Sequence, residues 1–216
     1  MPNLNTPLSL LALHEHQQAL LDCVCESMDL IPVELPGFLG CPCRKFVSPG
    51  QPAADACDGG CEMQPGDYPG QLTVHINRMF ATDYQTFPRR FSNAIGGAAA
   101  VRDLKGCALP QVNALDLYVT VFRCIPGPTA EGCPPSGEAL SAVSMQLSAD
   151  MLAVQRAVAC CYPATDTEVR RSGRRYAMGD TNMIGPSGGC IGFRTEVTVA
   201  IDGCLPCPPE PPPVGP

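Results

Sequence analysis

The chain has no run of lysine or arginine that could neutralise a row of phosphates, and its 14 basic residues are outnumbered by 21 acidic ones for a formal charge of −7. Tight nucleic-acid binding is therefore not expected, because that affinity comes largely from cations displacing counterions along the phosphates. A weakly acidic surface still lets DNA slide past without adhering. Long apolar runs are missing too. The tract from Leu8 to Leu13 is broken at once by His14, Glu15 and His16, far short of the roughly 18 apolar residues that span a bilayer. It also lacks a positively charged flank and an A-x-A-like cleavage site, so it does not read as a signal peptide, and a soluble, unexported protein is expected.

The groups that usually carry catalysis are scarce as well. Only three histidines are present. His14 and His16 stand two apart, whereas a helical zinc motif needs a spacing of four to share one face, so they read as solvated helix polarity. His75 falls on the polar face of a strand. No G-x-S-x-G, P-loop or G-x-G-x-x-G string occurs. The pairs Gly96-Gly97 and Gly188-Gly189 lack the lysine or the strand-to-helix setting that phosphate binding requires, and they read as turns. None of the cysteines lies beside a histidine. The expectation is a protein that is not an enzyme, with no catalytic residue, cofactor or resident metal.

What the sequence does have is 14 cysteines and 24 prolines. So many thiols in a chain without an export signal conflict with the reducing cytosol, where disulfides are rare. Three resolutions are open: metal binding, burial as reduced small hydrophobes, or oxidation after the protein leaves the cell. The close pairs are Cys23 with Cys25, Cys41 with Cys43, Cys57 with Cys61, and Cys204 with Cys207. Only the last has C-x-x-C spacing, and it has no second pair at zinc-finger distance. Cys124 and Cys133 bracket a strand-to-helix connection rich in Pro and Gly, and a bond there would close a loop of about ten residues, worth about 2–3 kcal/mol. Cys160 and Cys161 could reach Cys23 or Cys25 if two helices pack side by side. Spacing does not fix connectivity.

Periodicity supplies the elements. Thr6 and Pro7 form a helix start, and Leu13, Leu20, Leu21, Val24 and Met28 then make one apolar stripe that stops before Pro32. Residues 32–70 read mostly as loop, with a short strand from Arg44 to Ser48. Gln71 to Phe80 alternates as a half-buried strand, and Leu115 to Ile125 is apolar on both faces, as a central strand is. Ser136 caps a second helix with the stripe Leu140, Val143, Leu147, Met151, Val154 and Val158. Thr165 to Arg175 is polar, and Gly192 to Asp202 is the closing strand. The order implies an α+β domain: a mainly antiparallel sheet of four to five strands with two helices on one face, joined by long Cys/Pro-rich loops. One domain over 1–203 is expected, with an extended proline-rich tail over 204–216.

Three strings together resemble the tail terminator proteins of long-tailed phages, especially those of actinobacterial hosts. The first is Ala19-Leu20-Leu21-Asp22-Cys23-Val24-Cys25, running into Leu35-Pro36-Gly37 and Cys41-Pro42-Cys43-Arg44. The second spans Leu117 to Pro128 with Val119-Thr120-Val121-Phe122-Arg123-Cys124-Ile125-Pro126, followed by Cys133-Pro134-Pro135 and a helix ending at Cys160-Cys161. The third is Gly179-Asp180, then Gly185 to Gly192, leading into the last strand. The likeness covers most of residues 8–202, and 82–112 looks like an insertion. It implies a homo-oligomeric, hexameric ring at the head-to-tail junction of the virion. Its partners are the tail tube protein and the head-completion (stopper) protein; DNA passes through the lumen without specific binding, and no membrane is involved. Arg44, Phe46, Gly188 and Gly189, with the 82–112 loop, are the expected subunit contacts. The alternatives are a head-to-tail stopper or adaptor, a cysteine-rich metal-binding interaction module, and a thiol-dependent enzyme.

Overall fold

The computed structural model describes residues 10–54, 68–82, 87–89, 112–128, 132–162, 176–187 and 189–202. Its elements, in chain order, are α1 (Leu10–Asp29), α2 (Ile31–Glu34), β1 (Pro42–Val47), β2 (Tyr68–Thr82), β3 (Val112–Cys124), α3 (Gly137–Cys160), β4 (Tyr176–Ser187) and β5 (Cys190–Asp202). The strands form one five-stranded sheet in the order β1-β2-β3-β5-β4. Every neighbouring pair is antiparallel except β1 and β2, which run parallel. The fold is α+β, as the pattern of elements implies, with a mixed sheet.

Strand alternation sorts the side chains onto two faces. Leu72 and Val74 of β2, Leu115, Leu117, Val119 and Val121 of β3, and Phe193, Val197, Val199 and Ile201 of β5 share one core with both long helices. The α1 stripe meets it through Leu20, Leu21, Val24 and Met28, all buried. On α3 the same role falls to Leu147, Ala153, Val154, Ala157 and Val158. The expected position of β3 at the centre of the sheet is what lets it be apolar towards the helices and closely covered on its other face.

Local signals account for several boundaries. Ser136 accepts from the Ala139 N–H at 3.1 Å, satisfying one of the orphan donors at the start of α3. Pro32 sits in the first turn of α2, where a missing N–H is harmless. At Gly70 (φ +126°) and at Gly192 a Cβ would run into the backbone carbonyls of Phe122 and Val121 respectively. Gly192 stands opposite Phe122 and Gly70 precedes Gln71, the partner of Phe122 on β2, so β2 and β5 press against β3 there more closely than a side chain allows.

Three expectations need correction. Leu140, placed on the α3 stripe, is exposed, because the first two turns of α3 stand clear of the sheet. His16, read as solvated polarity, is buried; its Nδ1 lies 3.3 Å from the Tyr162 hydroxyl. Strand β4 was not expected, since its residues lack apolar alternation. The helix start at Thr6, most of the 82–112 insertion, the 165–175 segment and the proline tail fall outside the described residues. No helix among the described residues is long and apolar enough to cross a membrane.

Candidate interaction surface

Arg123 closes β3 with its side chain turned towards the helices, where it is 2% exposed beside a fully buried Asp150 of α3. The guanidinium grips that carboxylate twice, Nε to Oδ2 at 2.7 Å and Nη2 to Oδ1 at 2.8 Å. Its remaining N–H groups donate to the Gly40 carbonyl at 2.7 Å and the Pro69 carbonyl at 3.3 Å. Gln146, one turn before Asp150, donates to Oδ1 at 2.9 Å and exchanges two hydrogen bonds with the Leu39 backbone. Asp29 accepts from the Cys41 N–H at 2.9 Å. The chain over 39–41 is thereby clamped between α1, α3 and β3 on its way into β1. A buried ion pair is tolerable only when it is satisfied to this degree, and with no solvent contact it is a clamp rather than an acid–base centre.

The middle of the sheet face turned away from the helices is polar, while at one end of it Phe87, Ala114 and Ala200 form a small apolar cluster. Reading across the strands, Phe46 of β1 stands opposite Thr73, Thr73 opposite Thr120, and Thr120 opposite Arg194 of β5. Arg194 lies over the Tyr118 ring at 4.3 Å, and Tyr118 meets His75 edge-on at 5.5 Å. One end of the face holds Arg78 paired with Asp116, whose other oxygen accepts from Thr198 at 2.6 Å, with Glu196 at 3.3 Å from the same guanidinium. Burial, reinforced by Asp116, pushes the Glu196 carboxyl up, and Arg78 opposes that. Burial and then Arg194 hold His75 below its usual value, favouring the neutral ring. A strap over 48–54 covers part of this face, where Gln71 donates to the Ala53 carbonyl at 3.2 Å and Arg194 to Gln51 at 3.4 Å.

Of the expected contact residues, Arg44 and Phe46 sit half-buried on β1 with the guanidinium 5.3 Å from the ring. Gly189 is exposed in the β4–β5 turn at φ +75°, and its carbonyl accepts from the Ile125 N–H at 2.8 Å. Gly188 lies outside the described residues. Strand β1 and the β4–β5 hairpin form opposite edges of the sheet, so the structure does not bring these residues together within one subunit. Strand β4, which sequence reasoning missed, is exposed from Met178 to Met183 and again over the last three residues. Outside the sheet, Val33, Leu35, Met145 and Leu152 are exposed apolar side chains of α2, the turn after it and α3.

Two disulfides are drawn between described cysteines. Cys23 bonds Cys161 and Cys25 bonds Cys41, and Cys43 and Cys190 are disulfide-bonded as well. A Cys124–Cys133 bond is not among those drawn between described cysteines. Arg123 points to the helices, so Cys124 points to the opposite face, across from Cys190. The side-by-side packing of α1 and α3 delivers Cys161 to Cys23 instead. Among the described residues no group of three or more His, Cys, Asp or Glu side chains could hold a metal ion. Searches of protein-family models and of curated proteins return no match for this chain.

Proposed function

We propose that the chain is a structural subunit of a bacterial virus, the tail terminator of a long-tailed phage. In this reading copies of it close into a hexameric ring that caps the tail tube at the head-to-tail junction of the virion. The ring presents its other side to the head-completion protein, and DNA passes through the lumen. The observation that carries the proposal is β4. It is a twelve-residue strand held in the sheet by its backbone ladder to β5, while most of its side chains bury nothing in their own subunit. A strand that adds so little to its own core, with Met178 and Met183 left at the surface, is suited to lie against a neighbouring copy, since exposed edges pair readily with further chains. The order of the cysteine, proline and glycine strings supports the same reading, as does a net charge of −7, which suits a conduit that must not hold DNA.

The mass of the purified assembly under native conditions tests it. A discrete multiple of the 22.8 kDa subunit is the expected result, and a particle reconstruction should place the subunit between capsid and tail. A chain that stays monomeric, or a reconstruction in which the junction lacks it, overturns the proposal.

A further inference from the structure

We infer that Gln71, Thr73, His75 and Thr120 form an internal hydration site, a strip on the sheet face away from the helices that holds ordered water. Residues 71, 73 and 75 of β2 share one face by strand alternation, and Thr120 of β3 stands directly opposite Thr73. All four are nearly sealed from solvent, at 0%, 0%, 4% and 1% exposure respectively. Yet among the described residues Gln71 Oε1, Thr73 Oγ1, His75 Nδ1 and Thr120 Oγ1 have no hydrogen-bond partner. One such atom in a protein interior is an exception, and four on adjacent register positions call for an occupant. Buried polar groups in folded proteins are almost always satisfied by protein or by ordered water, and internal water sits where several such groups converge.

The chemistry of the strip selects the occupant. Two hydroxyls can donate or accept, the amide oxygen only accepts, and the imidazole nitrogen does one or the other by tautomer. The array is uncharged, so it favours a guest that is uncharged and able both to donate and to accept. A cation is disfavoured by Arg194, the cross-strand neighbour of Thr120. An anion would have to compete for that guanidinium with the Tyr118 ring and Gln51. The strap over 48–54 leaves its own mark on the strip: it uses the Gln71 Nε2 through the Ala53 carbonyl and leaves Oε1 for the guest. Water meets every requirement.

A high-resolution crystal structure of the full chain is the test. The expected result is discrete water density within hydrogen-bonding distance of at least two of the four atoms. A strip that is dry, or that holds a larger solute, overturns the inference. Thr73→Val combined with Thr120→Val keeps the shape and removes both hydroxyls, so the urea midpoint should fall if water is bonded there. A midpoint that rises instead means that the hydroxyls were unsatisfied and the strip dry.

Discussion

Arg123 and Asp150 show how one residue pair can decide the local path of the backbone. The carboxylate is fully buried and its partner nearly so, and each also holds the 39–41 segment, the arginine through the Gly40 carbonyl and the aspartate through Gln146. Asp150→Ala leaves a guanidinium in the core without its counter-charge, so a loss of about 3–5 kcal/mol is expected in urea unfolding. The Arg123→Met, Asp150→Leu double variant should lose less than the sum of the single losses, because it leaves no lone charge; additive losses would show that the two side chains act independently. Histidine gives a second prediction at this scale. Burial lowers the pKa of both His16 and His75 from 6.5, with Glu15 opposing the shift at His16 and Arg194 reinforcing it at His75. The unfolded chain therefore takes up protons as pH falls through 6.5 while the folded chain does not. Their contribution to stability is complete above 6.5 and is lost as pH falls towards the lower folded-state values. The urea midpoint should drop between about pH 7.5 and 5, and His16→Gln should shrink that drop; an unchanged drop would remove His16 from the account.

Among the elements, β4 most needs a neighbour. Met183 is 54% exposed on that strand, opposite the core residue Phe193, and a lysine stem can cover the same neighbour, so Met183→Lys should cost no more than about 1 kcal/mol. If β4 lies against a second copy, the same change places a charge in the contact and lowers the native mass of the assembly. A variant that assembles normally would move any interface off β4 and remove the observation that carries the proposed ring. The near-invisibility of β4 in the sequence has the same origin as its exposure. A strand is legible when one face is buried, as Leu72, Val74 and Ile76 make β2 and Val197, Val199 and Ile201 make β5. In Met178-Gly179-Asp180-Thr181-Asn182-Met183 neither face is buried, so no period of two is imposed. Helices α1 and α3 were legible for the converse reason, and their packing side by side gives the bond between Cys23 and Cys161, one of the pairings that spacing left open. His16 and Arg123 were not, because a polar residue on an apolar face reads as misplaced until its partner is known. Asp150 did carry a signal, since it stands three residues after Leu147 and four before Val154 on the α3 stripe. The polar strip on the far side of the sheet had no sequence signal, because alternating Thr and His read the same whether they meet solvent or a strap.

Over the whole molecule, two kinds of restraint hold the same layers together. The core joins α1, α3 and three strands, β2, β3 and β5, through side chains that are almost completely buried. The disulfides then tie α1 to the end of α3 across 138 residues and α1 to the approach of β1 across 16. If cross-links act by restricting the unfolded chain, the longer loop contributes about 5 kcal/mol and the shorter about 3 kcal/mol. Cys161→Ser should accordingly lower the urea midpoint more than Cys41→Ser, even though Cys41 is the more deeply buried of the two. The core does not depend on either bond, since its contacts run from the helices into β2, β3 and β5 regardless of oxidation. The fully reduced protein should thus keep its far-ultraviolet circular dichroism at low denaturant and unfold at a lower midpoint. Under the proposed function, this is the behaviour expected of a subunit that folds in a reducing cytosol and is cross-linked only after release, and it would reconcile 14 cysteines with assembly inside a cell. Collapse of the dichroism on reduction would instead make the cross-links a condition of folding, and synthesis in the cytosol would no longer fit this chain.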